Sequence, residues 1–101
     1  MTLDEFRATI AAPAPPVGLS HALQTLWWDA KGDWNRAHEC AQQDHARTGS
    51  SVHAYLHRKE GDMSNAAGWY SRAGRVPPTC SLESEWESLA QELLGASSTL
   101  A

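Results

Sequence analysis

The stretch Val52-His53-Ala54-Tyr55-Leu56-His57-Arg58-Lys59-Glu60-Gly61-Asp62 decides the fold. Val52, Tyr55, Leu56 and the aliphatic stem of Lys59 recur at i, i+3, i+4 and i+7, the spacing of one face of an α-helix. Arg58 and Lys59 favour the exposed carbonyls of a helix C-terminus, Gly61 supplies the residue that stops the helix, and Asp62 can accept from the free amides of the next one. A helix, its stop and a restart are thus written in one short run.

The same grammar extends in both directions. Upstream, Ser50 or Ser51 is expected to open this helix and Gly49 to close the one before it, which spans residues 34 to about 47 behind an Asp33 cap, with Trp34, Ala37 and Ala41 on one stripe. Before that, Ser20 can cap a helix whose inward face is Leu23, Leu26, Trp27 and Ala30 and whose stop is Gly32. Downstream, Asp62 or Ser64 opens a helix with Met63, Ala66, Ala67, Tyr70 and Ala73 inward and Gly74 at its end, and Arg75-Val76-Pro77-Pro78 cannot continue it. Leu82, Trp86, Leu89 and Leu93 mark a last helix, with Glu83, Glu85 and Glu87 near the end where the macrodipole favours negative charge. Gly95 is its expected stop, and residues 96–101 its frayed tail. At the N-terminus, Thr2 and Glu5 make a capping-box pattern ahead of Leu3, Phe6 and Ile10; residues 11–18, AAPAPPVG, then break the helix with a stiff connector. Sustained period-two alternation is missing. The reading is an all-α protein, a small bundle of five to six helices in a single domain spanning 1–101.

Composition narrows the function classes. A chain of 101 residues has room for one core. Eight basic against twelve acidic side chains give a net charge of −4, and no run of lysines and arginines could track a phosphate backbone, so nucleic acid is not an expected partner. No apolar run approaches the ~20 residues of a membrane span, and acidic Asp4 and Glu5 argue against a secretory leader, which makes the cytoplasm the expected location. Cys40 and Cys80 match no zinc or CxxC spacing and read as reduced thiols.

Gly32-Asp33 and Gly61-Asp62 lie 29 residues apart, each followed at the same offsets by an apolar residue and an alanine: Trp34 with Ala37, Met63 with Ala66. Such an internal repeat implies two copies of one supersecondary unit. In the second copy, Ala54, Gly61-Asp62, Ala66, Tyr70, Ala73 and Pro78 resemble a tetratricopeptide helical hairpin, in which small residues let antiparallel helices approach while aromatics fill the wider gaps. That resemblance implies Ala54 against Ala66 and a binding or scaffold role. The first copy has Thr25 and Asp44 where the second has Ala54 and Ala73. The blocks LWWDAKGDWNRAH, VHAYLHRKEGD and WYSRAG are also similar to a family of small bacterial proteins of unknown function, which implies that they belong together on one helical domain.

Several residues could carry chemistry. His53 and His57 stand at i, i+4 on one helix face, the geometry two imidazoles need to share a metal, with Glu60 one turn on. His38 and His45 share a face of the preceding helix. If the two helices meet at a turn near Gly49, His45 comes level with His53, so that His45, His53 and His57 form a candidate zinc or iron site. The HExxH pattern is absent, which removes the water-activating carboxylate of the metalloproteases. Arg58 with the two histidines could instead hold a small anionic ligand through a carboxylate or phosphate, although Arg58, Lys59, Glu60 and Asp62 are more simply the end of one helix and the start of another. Trp28, and Trp69 beside Asn65 and Arg72, point away from the apolar stripes and are candidates for an exposed aromatic surface, the alternative being packing beneath the connector or the last helix. There is no G-x-S-x-G and no glycine-rich phosphate loop. The expected function is a protein- or ligand-binding module, with self-association as one way to cover its tryptophans and a small metal protein or enzyme built on His53 and His57 as the alternative.

Overall fold

The computed structural model describes residues 1–99, with side chains through residue 95. Six helices follow in order: α1 (Leu3–Thr9), α2 (His21–Ala30), α3 (Trp34–Gln43), α4 (Arg47–Glu60), α5 (Met63–Ala73) and α6 (Leu82–Thr99). Among the described residues there is no strand. The all-α bundle is therefore as the sequence implies.

Two hairpins form the frame. α2 packs on α3 and α4 on α5, while α4 also touches α3, α2 and α6 and so lies at the centre. The two turns are built alike. Gly32 and Gly61 adopt φ of +85° and +88°. The following aspartates then donate their amides to carbonyls five residues back, Asp33 to Trp28 and Asp62 to His57, each at 2.9 Å. This is the Schellman closure, which needs a left-handed residue and therefore favours glycine. Asp33 and Asp62 go on to cap α3 and α5 through the amides of Arg36 and Asn65. The 29-residue repeat is thus a repeat of capping geometry.

Within the second hairpin, Ala54, Ala66 and Tyr70 form a small buried cluster, the close approach expected between these helices. The main core joins Phe6, Leu23, Leu26, Trp27, Ala37, Val52, Leu56, Trp86 and Leu89 from five of the helices; each large side chain removed from water contributes roughly 1.5–3 kcal/mol. Thr2 and Glu5 close their capping box, and α1 lies against α6, where Phe6 stacks on Trp86 at 5.9 Å. The indole of Trp86 donates to the Leu26 carbonyl at 3.0 Å and that of Trp27 to the Thr9 hydroxyl at 3.1 Å. Both large rings are buried with their polar edge satisfied.

The chain departs from the sequence reading at several points. α3 ends at Gln43, not near residue 47, and Gly49 lies inside the first turn of α4. Neither Ser50 nor Ser51 caps α4: its N-cap is Ala46. No side chain caps it; Asp44 instead braces the turn into α4, its carboxylate accepting from the Ala46 amide at 2.9 Å and the Thr48 hydroxyl at 2.7 Å. Gly49 is required for space, because a Cβ there would sit 2.0 Å from the Asp44 carbonyl oxygen. α6 runs through Gly95 to Thr99, so residues 96–99 of the expected tail are helical, and residues 100 and 101 lie outside the described residues. Ala30, Met63 and Ala67 are exposed, not inward, since the neighbouring helices cover only the narrower stripes around Trp27 and around Ala66 and Tyr70.

Two buried carboxylates tie α4 to its neighbours, and they share one design. Asp29 accepts from the Tyr55 hydroxyl at 2.9 Å and the Lys59 ammonium at 2.8 Å. Glu85 accepts from the Tyr70 hydroxyl at 2.6 Å and the Arg58 guanidinium at 2.8 Å. Burial, and then the adjacent carboxylates, raise the ionisation of Tyr55 and Tyr70 above the ordinary phenol range. Both hydroxyls accordingly stay protonated and donate.

Candidate metal centre

A third polar cluster lies where α3, α4 and α5 meet. His38 comes from α3; His53 and His57, one turn apart, come from α4. Ligand nitrogens of the three imidazoles lie within 4.8 Å of one another. His53 and His57 are only 5% and 6% exposed. The Nε2 atoms of His38 and His53 are 2.8 Å apart, a separation at which one ring donates and the other accepts.

Aromatic walls hold the rings in place. Trp34, one turn before His38 on α3, stacks on it at 4.8 Å with a 10° interplanar angle and meets His57 edge-on at 5.9 Å. The Trp34 indole nitrogen donates to the Leu56 carbonyl at 3.1 Å, which pins α3 to α4 at the level of the histidines. On the far side, Trp69 of α5 stacks on His53 at 3.9 Å and 14°. His57 is anchored differently. Its Nδ1 lies 2.5 Å from the Glu60 carboxylate, which leaves Nε2 as its remaining ligand atom.

Burial works against a charge on His38 and His53. Burial, followed by the neighbouring His38, His57 and Arg72, pushes the pKa of His53 down to about 4. His38 is lowered for the same first reason and by His57, with Glu60 and Glu39 opposing. A neutral imidazole is the form that binds metal. Three of them can hold a first-row transition ion in a zinc-like site with one position left open. Tetrahedral bonds of ~2.0–2.1 Å place ligand nitrogens roughly 3.3 Å apart. The His38 and His53 Nε2 atoms, 2.8 Å apart, would have to part by about 0.5 Å to reach that spacing. Glu60 then fills the role of the outer carboxylate that fixes the tautomer and orientation of a ligand histidine.

Of the residues singled out in the sequence, His53, His57 and Glu60 are brought together. Trp69 joins them as a wall. His45 does not: because α3 stops at Gln43, His45 sits exposed in the connector, and the partner of His53 and His57 is His38. Arg58 turns the other way, to Glu85 and the Cys80 carbonyl. Asn65 is exposed on α5, and its backbone N–H donates to the Asp62 cap. Trp28 lies elsewhere, half-buried edge-on to Trp27 with the Arg36 guanidinium 4.6 Å over its ring. The sequence reading missed His38 and Trp34 as a pair. Their i, i+4 spacing behind the Asp33 cap is the signal that could have found them. Compared with known proteins, the chain matches no family model, no curated protein and no solved structure. No described helix is long and apolar enough to cross a membrane.

Proposed function

We propose that this is a small helical metal protein that holds zinc, or another first-row divalent ion, through His38, His53 and His57, with Glu60 orienting His57. The observation that carries this reading is the convergence of three buried or half-buried imidazoles whose ligand atoms lie within 4.8 Å. Packing three imidazoles against one another removes water from their ring nitrogens, and a bound cation supplies a partner for the lone pairs. The second group of possible ligands, His57, Glu60 and Asp62, is less suited, because Glu60 and Asp62 are exposed and Asp62 is occupied as the α5 cap. A protein-docking role for the tryptophans has less support. The Trp69 ring contacts His53 and Arg72, and Trp28 lies against Trp27 and Arg36, so these indoles already have partners within the chain.

Tag-free protein stripped with a chelator and titrated with cobalt(II) or zinc(II) tests the reading. About one ion per chain should bind, cobalt giving the intense visible bands of a tetrahedral site. Removal of one ligand in His38→Ala, His53→Ala or His57→Ala should weaken binding by about 100-fold or more. Failure to take up either metal, or uptake that the three substitutions leave unchanged, would overturn it.

A further inference from the structure

Beside the trio lies a cleft of about 510 Å³, between the α3–α4 connector and the C-terminal end of α5. His53 is the imidazole of the trio that lines it, so the cleft reaches the metal centre through that ring. Its charged walls are Arg47, at the start of α4, and Arg72, in the last turn of α5, together with Asp44. Asp44 is already occupied by the Ala46 amide and the Thr48 hydroxyl. Neither arginine forms an ion pair with a described carboxylate. This sets them apart from Arg7, Arg36, Arg58 and Arg75, each of which does. Arg72 is held in place over the Trp69 ring at 4.9 Å, the same ring that stacks on His53. Ser50 and Gln42 add neutral hydrogen-bonding groups. Arg47 lines the cleft with its guanidinium close to Gly74 at the end of α5, and in a chain of net charge −4 two arginines without a carboxylate partner among the described residues give this cleft local positive charge.

We infer that this cleft binds a small oxyanion, gripped by Arg47 and Arg72 next to His53. The inference rests on the metal reading in one respect: His53, which lines the cleft, would be a ligand of the ion, so an anion seated there would lie within the field of the bound cation. The planar fork of arginine matches carboxylate and phosphoryl oxygens alike, so the class is an oxyanion that an arginine can hold through two parallel hydrogen bonds. The negative charge also completes the balance of a divalent ion held by three neutral rings, which carry no charge of their own.

Calorimetric titration of oxalate and of inorganic phosphate into zinc-loaded and metal-free protein decides the matter, and the two anions separate a carboxylate from a phosphoryl preference. Both arginines are exposed, so Arg47→Gln and Arg72→Gln should keep the fold, as a thermal melt will confirm. The expected result is binding of at least one anion, tighter with zinc present, and weakened about tenfold by either substitution while zinc affinity stays the same. Absence of binding in both forms, or binding indifferent to both substitutions, overturns the inference. Arginine-dependent binding to protein that takes up no zinc upholds the cleft and sinks the metal reading instead. Arginine-dependent binding that zinc does not strengthen upholds the cleft but overturns its coupling to the metal.

Discussion

α4 carries two kinds of buried polar cluster, and they are finished differently. Toward α2 and α6, Tyr55 and Lys59 meet Asp29 while Arg58, with Tyr70 of α5, meets Glu85, so each carboxylate faces one cation and one hydroxyl. Toward α3, His53 and His57 meet His38; only His57 has a carboxylate beside it, Glu60, while His38 and His53 face each other ring to ring. Among the described residues no buried side-chain nitrogen or oxygen lacks a hydrogen-bond partner, yet the two kinds of satisfaction are not equivalent. A carboxylate with a cation and a hydroxyl is complete and asks for nothing further. Imidazoles that satisfy one another two at a time keep a lone pair to spare. The first arrangement fixes helix positions; the second offers a ligand set.

The largest expected effect falls on the finished side. Glu85→Ala strands the Arg58 guanidinium and the Tyr70 hydroxyl, and should lower the urea-measured stability by about 3–5 kcal/mol, as breaking a buried pair does. Zinc affinity per folded molecule should be unchanged. A loss below ~1 kcal/mol would mean that the carboxylate networks are dispensable and would break the contrast.

A smaller effect separates the clusters by pH. His53 in the folded protein has its pKa near 4, below the ~6.5 of an unfolded histidine. Between these values the unfolded chain binds more protons than the native one, so the stability of the metal-free protein is full above pH ~6.5 and falls as the pH drops toward ~4. The loss should be about 2 kcal/mol, less than the full linkage value because solvent screens part of the site, and His53→Gln should flatten the profile. Equal slopes for the two proteins would show that the histidine cluster carries no protonation penalty.

The smallest effect isolates a single hydrogen bond. Glu60→Gln keeps the shape at His57 Nδ1 but removes the charge of its acceptor, and should weaken metal binding by about tenfold with little change in metal-free stability. A zinc titration showing no difference would make Glu60 a surface residue that happens to lie near His57.

Much of the fold was legible because its signals are local. Thr2 with Glu5, Gly32 with Asp33, and Gly61 with Asp62 act within a few residues of themselves, and each helix end they specify stands where the pattern puts it. Gly49 was misleading, since a glycine after an apolar stripe reads as a stop whereas here it makes room for the Asp44 carbonyl from a preceding segment. That one error displaced the end of α3 and substituted His45 for His38. Glu85 shows the same limit: its place near the start of α6 suggested a dipole role, but its partners Arg58 and Tyr70 come from other helices.

By itself, the sequence determined that the chain is helical, where its hairpin turns fall, and that His53 and His57 share a face, because capping and periodicity are short-range properties of the backbone. Only the tertiary structure decided which third histidine meets them, that Arg58 turns to Glu85, and that Arg47 and Arg72 face a common cleft. Those outcomes depend on how α3 and α5 are rotated and set against α4, which is fixed by the packing of Trp34, Ala54, Ala66 and Trp69 across the helices and not by any residue's neighbours along the chain.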